Sequence, residues 1–214
     1  MKDIPCFATE NGVAGLSIQQ IPYNGSAYIT IHSTLALDAF LEECIGFCRA
    51  VGAEQIFACG HKELEKYPVH TRILRMHMQM PEDRESGCLF PVTENTLNTW
   101  LEIYNAAMRN VPNAEILSQS RGKELIDKGG AYFVHLDGTL MGIGAISDSK
   151  VDAIVSCQKG AGEMVLKTLC GALFGDMVEV EVAENNMPAV RLYNRLGFIT
   201  TGVVNTWYEI LKKV

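Results

Sequence analysis

The chain has 214 residues, 48% of them hydrophobic, with a net charge of -7 and a pI near 5.3. That length accommodates one large or two modest domains with a sizeable core. The acidic balance argues against non-specific nucleic-acid binding, which depends on basic surface, and weakly favours a cationic small substrate.

Seven cysteines (Cys6, Cys44, Cys48, Cys59, Cys88, Cys157, Cys170) are odd in number and irregularly spaced, without a Cys-x-x-Cys or a Cys/His cluster of zinc spacing. Reduced thiols and no metal are expected. The N-terminus, Met-Lys-Asp-Ile-Pro, lacks a long apolar run, and no segment approaches the roughly 20 apolar residues of a membrane helix. The expectation is a cytoplasmic protein with no membrane partner.

Residues 1–25 are punctuated by Gly and Asn and resist assignment. Ala27–Ile31 reads as a strand. Leu37, Phe40, Leu41, Cys44, Ile45 and Cys48 have helical spacing within Leu35–Val51, and Gly52 stops that helix. Gln55–Cys59 and Thr71–Met80 read as strands. Met76, Met78 and Met80 suit packing better than a cofactor. The polar segment 81–87 reads as a boundary, dividing an N-terminal α/β block, 1–81, from a second block, 82–214.

The second block begins with a short strand, Cys88–Val92. Thr93 or Asn95 is expected to cap a helix whose apolar face holds Leu97, Trp100, Leu101, Tyr104 and Met108. A second helix falls within Ala114–Lys128. Tyr132–Leu136 and Leu140–Ile146 flank Asp137-Gly138, a hairpin signal. Val151–Ser156 is another strand. The turn Gln158-Lys159-Gly160-Ala161-Gly162 opens a helix to about Phe174. An alternating strand, Met177–Ala183, a helix around 188–196 and two closing strands, 198–204 and 206–211, complete the chain.

Chemistry concentrates in two places. A strand entering Gly160-Ala161-Gly162 at a helix start gathers backbone N–H groups and the positive end of a helix dipole, a setting for a pyrophosphate. Asn186-x-x-Ala189-x-x-Leu192-Tyr193-x-x-x-Gly197-Phe198 reads as a capped helix that stops at a glycine and re-enters a sheet.

Together these residues resemble the GNAT superfamily of N-acetyltransferases, and the order of elements over about 88–212 is similar to that fold. The resemblance implies an α+β fold, a mixed and mostly antiparallel sheet flanked by helices. It implies transfer of an acetyl group from acetyl-CoA to an amine by direct attack on the thioester. The alternative is a non-catalytic CoA-binding or scaffold module that keeps the fold. The family pattern Gln/Arg-x-x-Gly-x-Gly/Ala is matched at Gly160 and Gly162, but Cys157 stands at the Gln/Arg position and Gln158 is one place away.

The implied cofactor-binding residues are Ile154, Val155 and Ser156 on the strand edge, then Gln158, Lys159, Gly160, Ala161, Gly162 and Glu163, with Asn186 and Tyr193 from the second motif. Tyr193 is the implied catalytic acid for the leaving thiolate. No general base stands out among Asp152, Glu179, Glu181, Glu184 and His135, each more commonly a solvated or structural residue. Cys157 reads as a small filler. The first block, strand–helix–strand–strand, reads either as a truncated, degenerate copy of the same unit or as unrelated support. An acyl group other than acetyl and a homodimer are both left open.

Overall fold

The computed structural model describes residues 5–82, 87–109, 111 and 113–212. Its chain divides into two compact units, each drawn from non-contiguous segments. Unit 1 comprises 1–73, 109–116 and 203–214; unit 2 comprises 74–108 and 117–202. The units therefore cut across a division at 81/82.

In unit 1 the segment before residue 25, unassigned from sequence, forms a hairpin, β1 (Cys6–Thr9) and β2 (Gly12–Ser17), and a short helix, α1 (Ile21–Asn24). Then come β3 (Ser26–Thr34), α2 (Leu37–Ala50) and β4 (Gln55–Cys59). β3 and β4 are parallel over Ser26–Thr30 and Gln55–Cys59, joined by α2. Leu37, Phe40, Leu41, Cys44 and Cys48 are buried, and they pack on Ile29, Ile31, Ile56 and Ala58. A 3-10 turn follows at Lys62–Lys66, and β5 (Val69–Gln79) passes from unit 1 into unit 2 at residue 74.

Unit 2 continues with β6 (Cys88–Pro91), α3 (Leu97–Met108), α4 (Gln119–Asp127), β7 (Ala131–Leu136), β8 (Thr139–Ser147), β9 (Lys150–Ser156), α5 (Gly162–Cys170), β10 (Met177–Ala183) and α6 (Met187–Arg195). Its strand order is β5-β10-β9-β8-β7-β6. From β6 to β9 the ladders are antiparallel, and β9 with β10 is parallel. α3 opens after Thr96, whose carbonyl accepts the Trp100 N–H; Thr93 and Thr96 bond each other, so neither Thr93 nor Asn95 directly precedes the helix. α4 is capped by Ser118, whose hydroxyl accepts the Arg121 N–H at 3.2 Å. α5 ends at Cys170, four residues short of the expected Phe174.

Helices cover both faces of this sheet. Trp100, Leu101 and Tyr104 of α3 join a core with Ala131, Ile143 and Ala145. Val165, Leu166 and Leu169 of α5 and Tyr193 of α6 join another with Met76, Val151, Val178 and Val180. α5 comes close to β8 because Gly142 and Gly144 face it. A methyl added at Gly144 would lie 2.3 Å from Leu169 Cδ1. Met76 and Met80 are buried there and Met78 is partly buried, in packing roles.

The two closing strands expected from sequence are one strand, β11 (Ile199–Leu211). Its first part, to Gly202, belongs to unit 2 and its remainder to unit 1. There Tyr208 and Glu209 pair antiparallel with Ala58 and Phe57 of β4, which places β11 beside β4 in the order β1-β2-β3-β4-β11. Asn205, which separated the two expected strands, lies inside the continuous one.

Candidate functional site

β9 has two unlike edges. Against β8 it is paired from Lys150 to Ser156. Against β10 the register holds only Lys150 with Glu179 and Val151 with Val180, plus a Glu179 N–H to Ser149 carbonyl bond of 3.0 Å. Beyond Val151 no further ladder pair forms on that edge among the described residues. The strands part there, and the edge of Ile154, Val155 and Ser156 is left to other partners.

A bulge marks the parting point. Ala145 faces Ala153 while Ile146 faces Val151, so Asp152 is the extra residue. Asp152 follows Val151, the last residue paired with β10; it is exposed as a residue, but its carboxyl is partly desolvated. Its carboxyl lies above the ordinary carboxylate range, raised first by desolvation and then by Glu181, against the lowering effects of a Ser147 hydrogen bond, Lys150 and Arg121.

The strand then turns. Cys157 donates its N–H to the Met141 carbonyl at 2.8 Å, and Ala161 to that of Gln158 at 3.2 Å. Among the described residues, the amides of Gln158, Lys159 and Gly160 meet no protein acceptor. Gly160 has φ 83°, and α5 begins at Gly162 with unpaired first-turn amides. The turn is exposed from Cys157 to Gly160, and Ala161 is buried beneath it. The Gln158 amide reaches the Leu140 carbonyl at 3.4 Å. Glu163, an acid in that first turn, is offset by Lys167 at 3.1 Å and Arg195 at 3.8 Å. Although Cys157 is exposed as a residue, partial desolvation raises its thiol above the ordinary range, which works against a thiolate there.

α6 lies beside this turn. A methyl built on Gly162 would come 3.1 Å from Leu192 Cδ2 and 3.2 Å from Ser156 Oγ. Asn186 caps α6, accepting the Ala189 N–H at 3.5 Å, with Pro188 in the first turn. The Tyr-x-x-x-Gly-Phe spacing has a local cause. Phe198 N–H bonds the Tyr193 carbonyl at 3.0 Å and Gly197 N–H that of Asn194 at 3.1 Å, around Gly197 at φ 93°. This is the Schellman arrangement, and the Tyr193 and Phe198 rings supply its apolar contact at 5.3 Å. Tyr193 is buried, its hydroxyl has no partner among the described residues, and burial pushes its phenol up to about 12.

The other candidates sort by their partners. Glu179 and Glu181 share a strand face, as the alternation implies, but both are bound in ion pairs. Lys150 Nζ is 3.0 Å from Glu181, and Arg75 is 3.5 Å from Glu179 and 3.6 Å from Glu181. His135 sits on the β6–β7 ladder opposite Cys88, edge-on to Phe90. Glu184 follows the end of β10. The sequence reading missed His77, whose Nε2 is 2.8 Å from Glu179 Oε2. Its signal was the alternation of Arg75 and His77 with Met76 and Met78 along β5, continued by Met80 just past its end. Among the described residues no group of three or more His, Cys, Asp or Glu could hold a metal ion, and no helix is long and apolar enough to cross a membrane.

A mixed, mostly antiparallel sheet whose parallel pair splays beside a glycine turn defines the class: it is the fold of GNAT acetyltransferases. A GCN5-related N-acetyltransferase from Sphaerobacter thermophilus aligns with TM-score 0.55 and 14% identity over 94% of this chain and 78% of its own. A tandem GNAT protein from the clavulanic acid biosynthesis pathway aligns with TM-score 0.51 and 13% identity over 93% and 79%. A conserved protein of unknown function from Staphylococcus epidermidis aligns with TM-score 0.54 and 11% identity over 100% and 95%. No family model matches the sequence, and no curated protein matches it.

Proposed function

We propose that the protein transfers an acetyl group from acetyl-CoA to an amine by direct attack on the thioester. The observation that carries this reading is the slot between β9 and β10, open from Asp152 onward and flanked by the exposed turn 157–160. The two amides of a pantetheine arm suit the edge of Ile154–Ser156 as an added strand does. A pyrophosphate suits the amides of Gln158–Glu163. Asn186 and Tyr193 stand on the helix beside that turn.

Two residues then divide the proton work. Attack requires a neutral amine, so a base must take a proton. Asp152 is the best supported candidate, because it follows the last residue paired with β10 and its raised carboxyl is a stronger base than an ordinary one. Tyr193 keeps its proton at neutral pH and can donate it as the thiolate leaves.

Unit 1 supports a single-site reading. β3 and β4 stay paired through Thr30 and Cys59, and the link to α2 carries Leu35 and Ala36 instead of a glycine turn. Residues 1–81, taken as a degenerate copy, would then bind no CoA and support the fold.

A second reading, a non-catalytic CoA-binding module, is favoured by Cys157 at the Gln/Arg position. Calorimetric titration with acetyl-CoA and CoA, followed by mass-spectrometric screening of an amine panel, separates the two. Binding with turnover upholds transfer, binding without any product across the panel favours the module, and no binding overturns both.

A further inference from the structure

Three neighbouring strands of unit 2 build one hydrogen-bonded chain that acyl transfer at the slot does not use. Thr201 Oγ1 on β11 is 2.9 Å from His77 Nδ1 on β5, and His77 Nε2 is 2.8 Å from Glu179 Oε2 on β10. A carboxylate only accepts, so Nε2 carries the hydrogen; in the neutral ring Nδ1 then accepts, and the Thr201 hydroxyl donates to it. The other acceptor in reach of that hydroxyl, the Arg75 carbonyl, is farther, at 3.3 Å. Arg75 at 3.5 Å and Lys150 at 3.9 Å pair with Glu179, and the Glu179 carboxylate sets the tautomer of His77. Thr201 is exposed, while His77 and Glu179 are half-buried. A reachable hydroxyl, a base bonded to it and an acid orienting the base stand in the relation of an activated nucleophile.

The chain runs away from the slot. Neighbouring strands are about 4.8 Å apart, so Thr201 lies roughly 10 Å sideways from β10. An acetyl group held in the slot would not touch it.

We propose that Thr201 is an acyl-accepting nucleophile, activated by His77 and Glu179, for small activated carboxylic esters arriving from solution. As the Thr201 Oγ–acyl carbon bond forms, the hydroxyl proton passes to His77 Nδ1. The bond from the acyl carbon to the leaving oxygen breaks, and that oxygen departs with the electron pair. Glu179 stabilises the imidazolium. Water then attacks the acyl-threonine, His77 returns its proton to Thr201 Oγ, and the acid is released as the carboxylate with its proton to solvent.

The test uses the full chain and p-nitrophenyl acetate, with nitrophenolate release followed by absorbance and the modified residue located by peptide mass spectrometry. One acetyl group on Thr201 is expected. Thr201→Ser keeps the labelling and Thr201→Val removes it, and both are exposed substitutions that leave the fold in place. His77→Gln slows labelling by about 10²–10⁴-fold, the usual worth of a general base. Should that variant fail to fold, the wild-type rate decides, because a reaction that needs a base to accept the Thr201 proton slows on acidification. Acetyl groups confined to lysines, a Thr201→Val chain that releases nitrophenolate like the wild type, or a Thr201 labelling rate indifferent to pH would each overturn the proposal. Calorimetry with acetyl-CoA on the same samples reports the slot separately, so failure at Thr201 and failure of the CoA reading are distinguishable.

Discussion

Replacing Gly160 tests the turn most directly. A methyl added there meets nothing within 4 Å, so the protein itself does not forbid a side chain. Two other effects act. Gly160 has φ 83°, and holding a residue with a Cβ in that left-handed region costs about 1–2 kcal/mol. The free turn is exposed and can relax out of that conformation in the variant, so binding must restore it and the cost appears in affinity. A valine also projects into the solvent side from which the pyrophosphate approaches. Displacing one set of amide hydrogen bonds adds about 1–3 kcal/mol. Together these come to about 2–5 kcal/mol, or roughly 30- to several-thousand-fold in Kd for acetyl-CoA. Gly160→Ala should carry the backbone part alone, about 5–30-fold. Gly160→Asn, which tolerates the left-handed region, should lose less than Ala in spite of its larger side chain. Titration calorimetry gives the affinities, and thermal unfolding tests that the fold is intact. An unchanged Kd in a folded Gly160→Val protein, or an Asn variant as weak as the Val one, would refute this account of the turn.

Tyr193→Phe should lower turnover by about 10²–10⁴-fold with little loss of CoA affinity, measured by steady-state kinetics against calorimetry; equal turnover would leave Tyr193 a packing residue. Asp152→Asn should lower turnover and abolish its decline at acid pH, since the base works only when ionised and its raised carboxyl moves that decline upward. The same raised carboxyl contributes stability below its unfolded value and loses it as pH rises through the folded one, so the Asn variant should melt no lower than wild type at neutral pH. Phe198→Ala should destabilise by about 3–5 kcal/mol in denaturant unfolding, because the ring is buried against Tyr193 and closes the end of α6. A chain truncated to begin near residue 84 loses the β5 segment beside β10 and the β4 partner of Tyr208 and Glu209, and should be less stable or less soluble in thermal unfolding and sedimentation. Wild-type titration should give one acetyl-CoA per chain; a stoichiometry of two would exclude the single-site reading.

Local signals carried far in this chain. The alternation in Met177–Ala183 and the turn at 158–162 announced β10 and the start of α5 because each depends on backbone preferences within a few residues. The Asn-x-x-Ala-x-x-Leu-Tyr-x-x-x-Gly-Phe motif is legible for the same reason. Asn186 caps α6, Gly197 adopts the positive φ that ends it, and Phe198 closes back on Tyr193, all within thirteen residues. Other features depend on residues far apart in sequence. A hydrogen-bonding edge is shared with whatever strand arrives, so nothing in Ile199–Leu211 reveals that its first part serves unit 2 and the rest pairs with β4 of unit 1. The slot likewise exists because the β9–β10 ladder stops at Val151 and Val180, a matter of register between two strands. Nothing in the methionine-rich strand marks His77, which only the sheet sets between Thr201 and Glu179, 124 and 102 residues away. The sequence by itself determined most of the helices, the Asn186 cap and the glycine turn, where short-range sterics and hydrogen bonds decide. Only the tertiary structure decided which strand edges stay open and which polar side chains meet across strands, because those depend on pairings between distant segments that no local preference encodes.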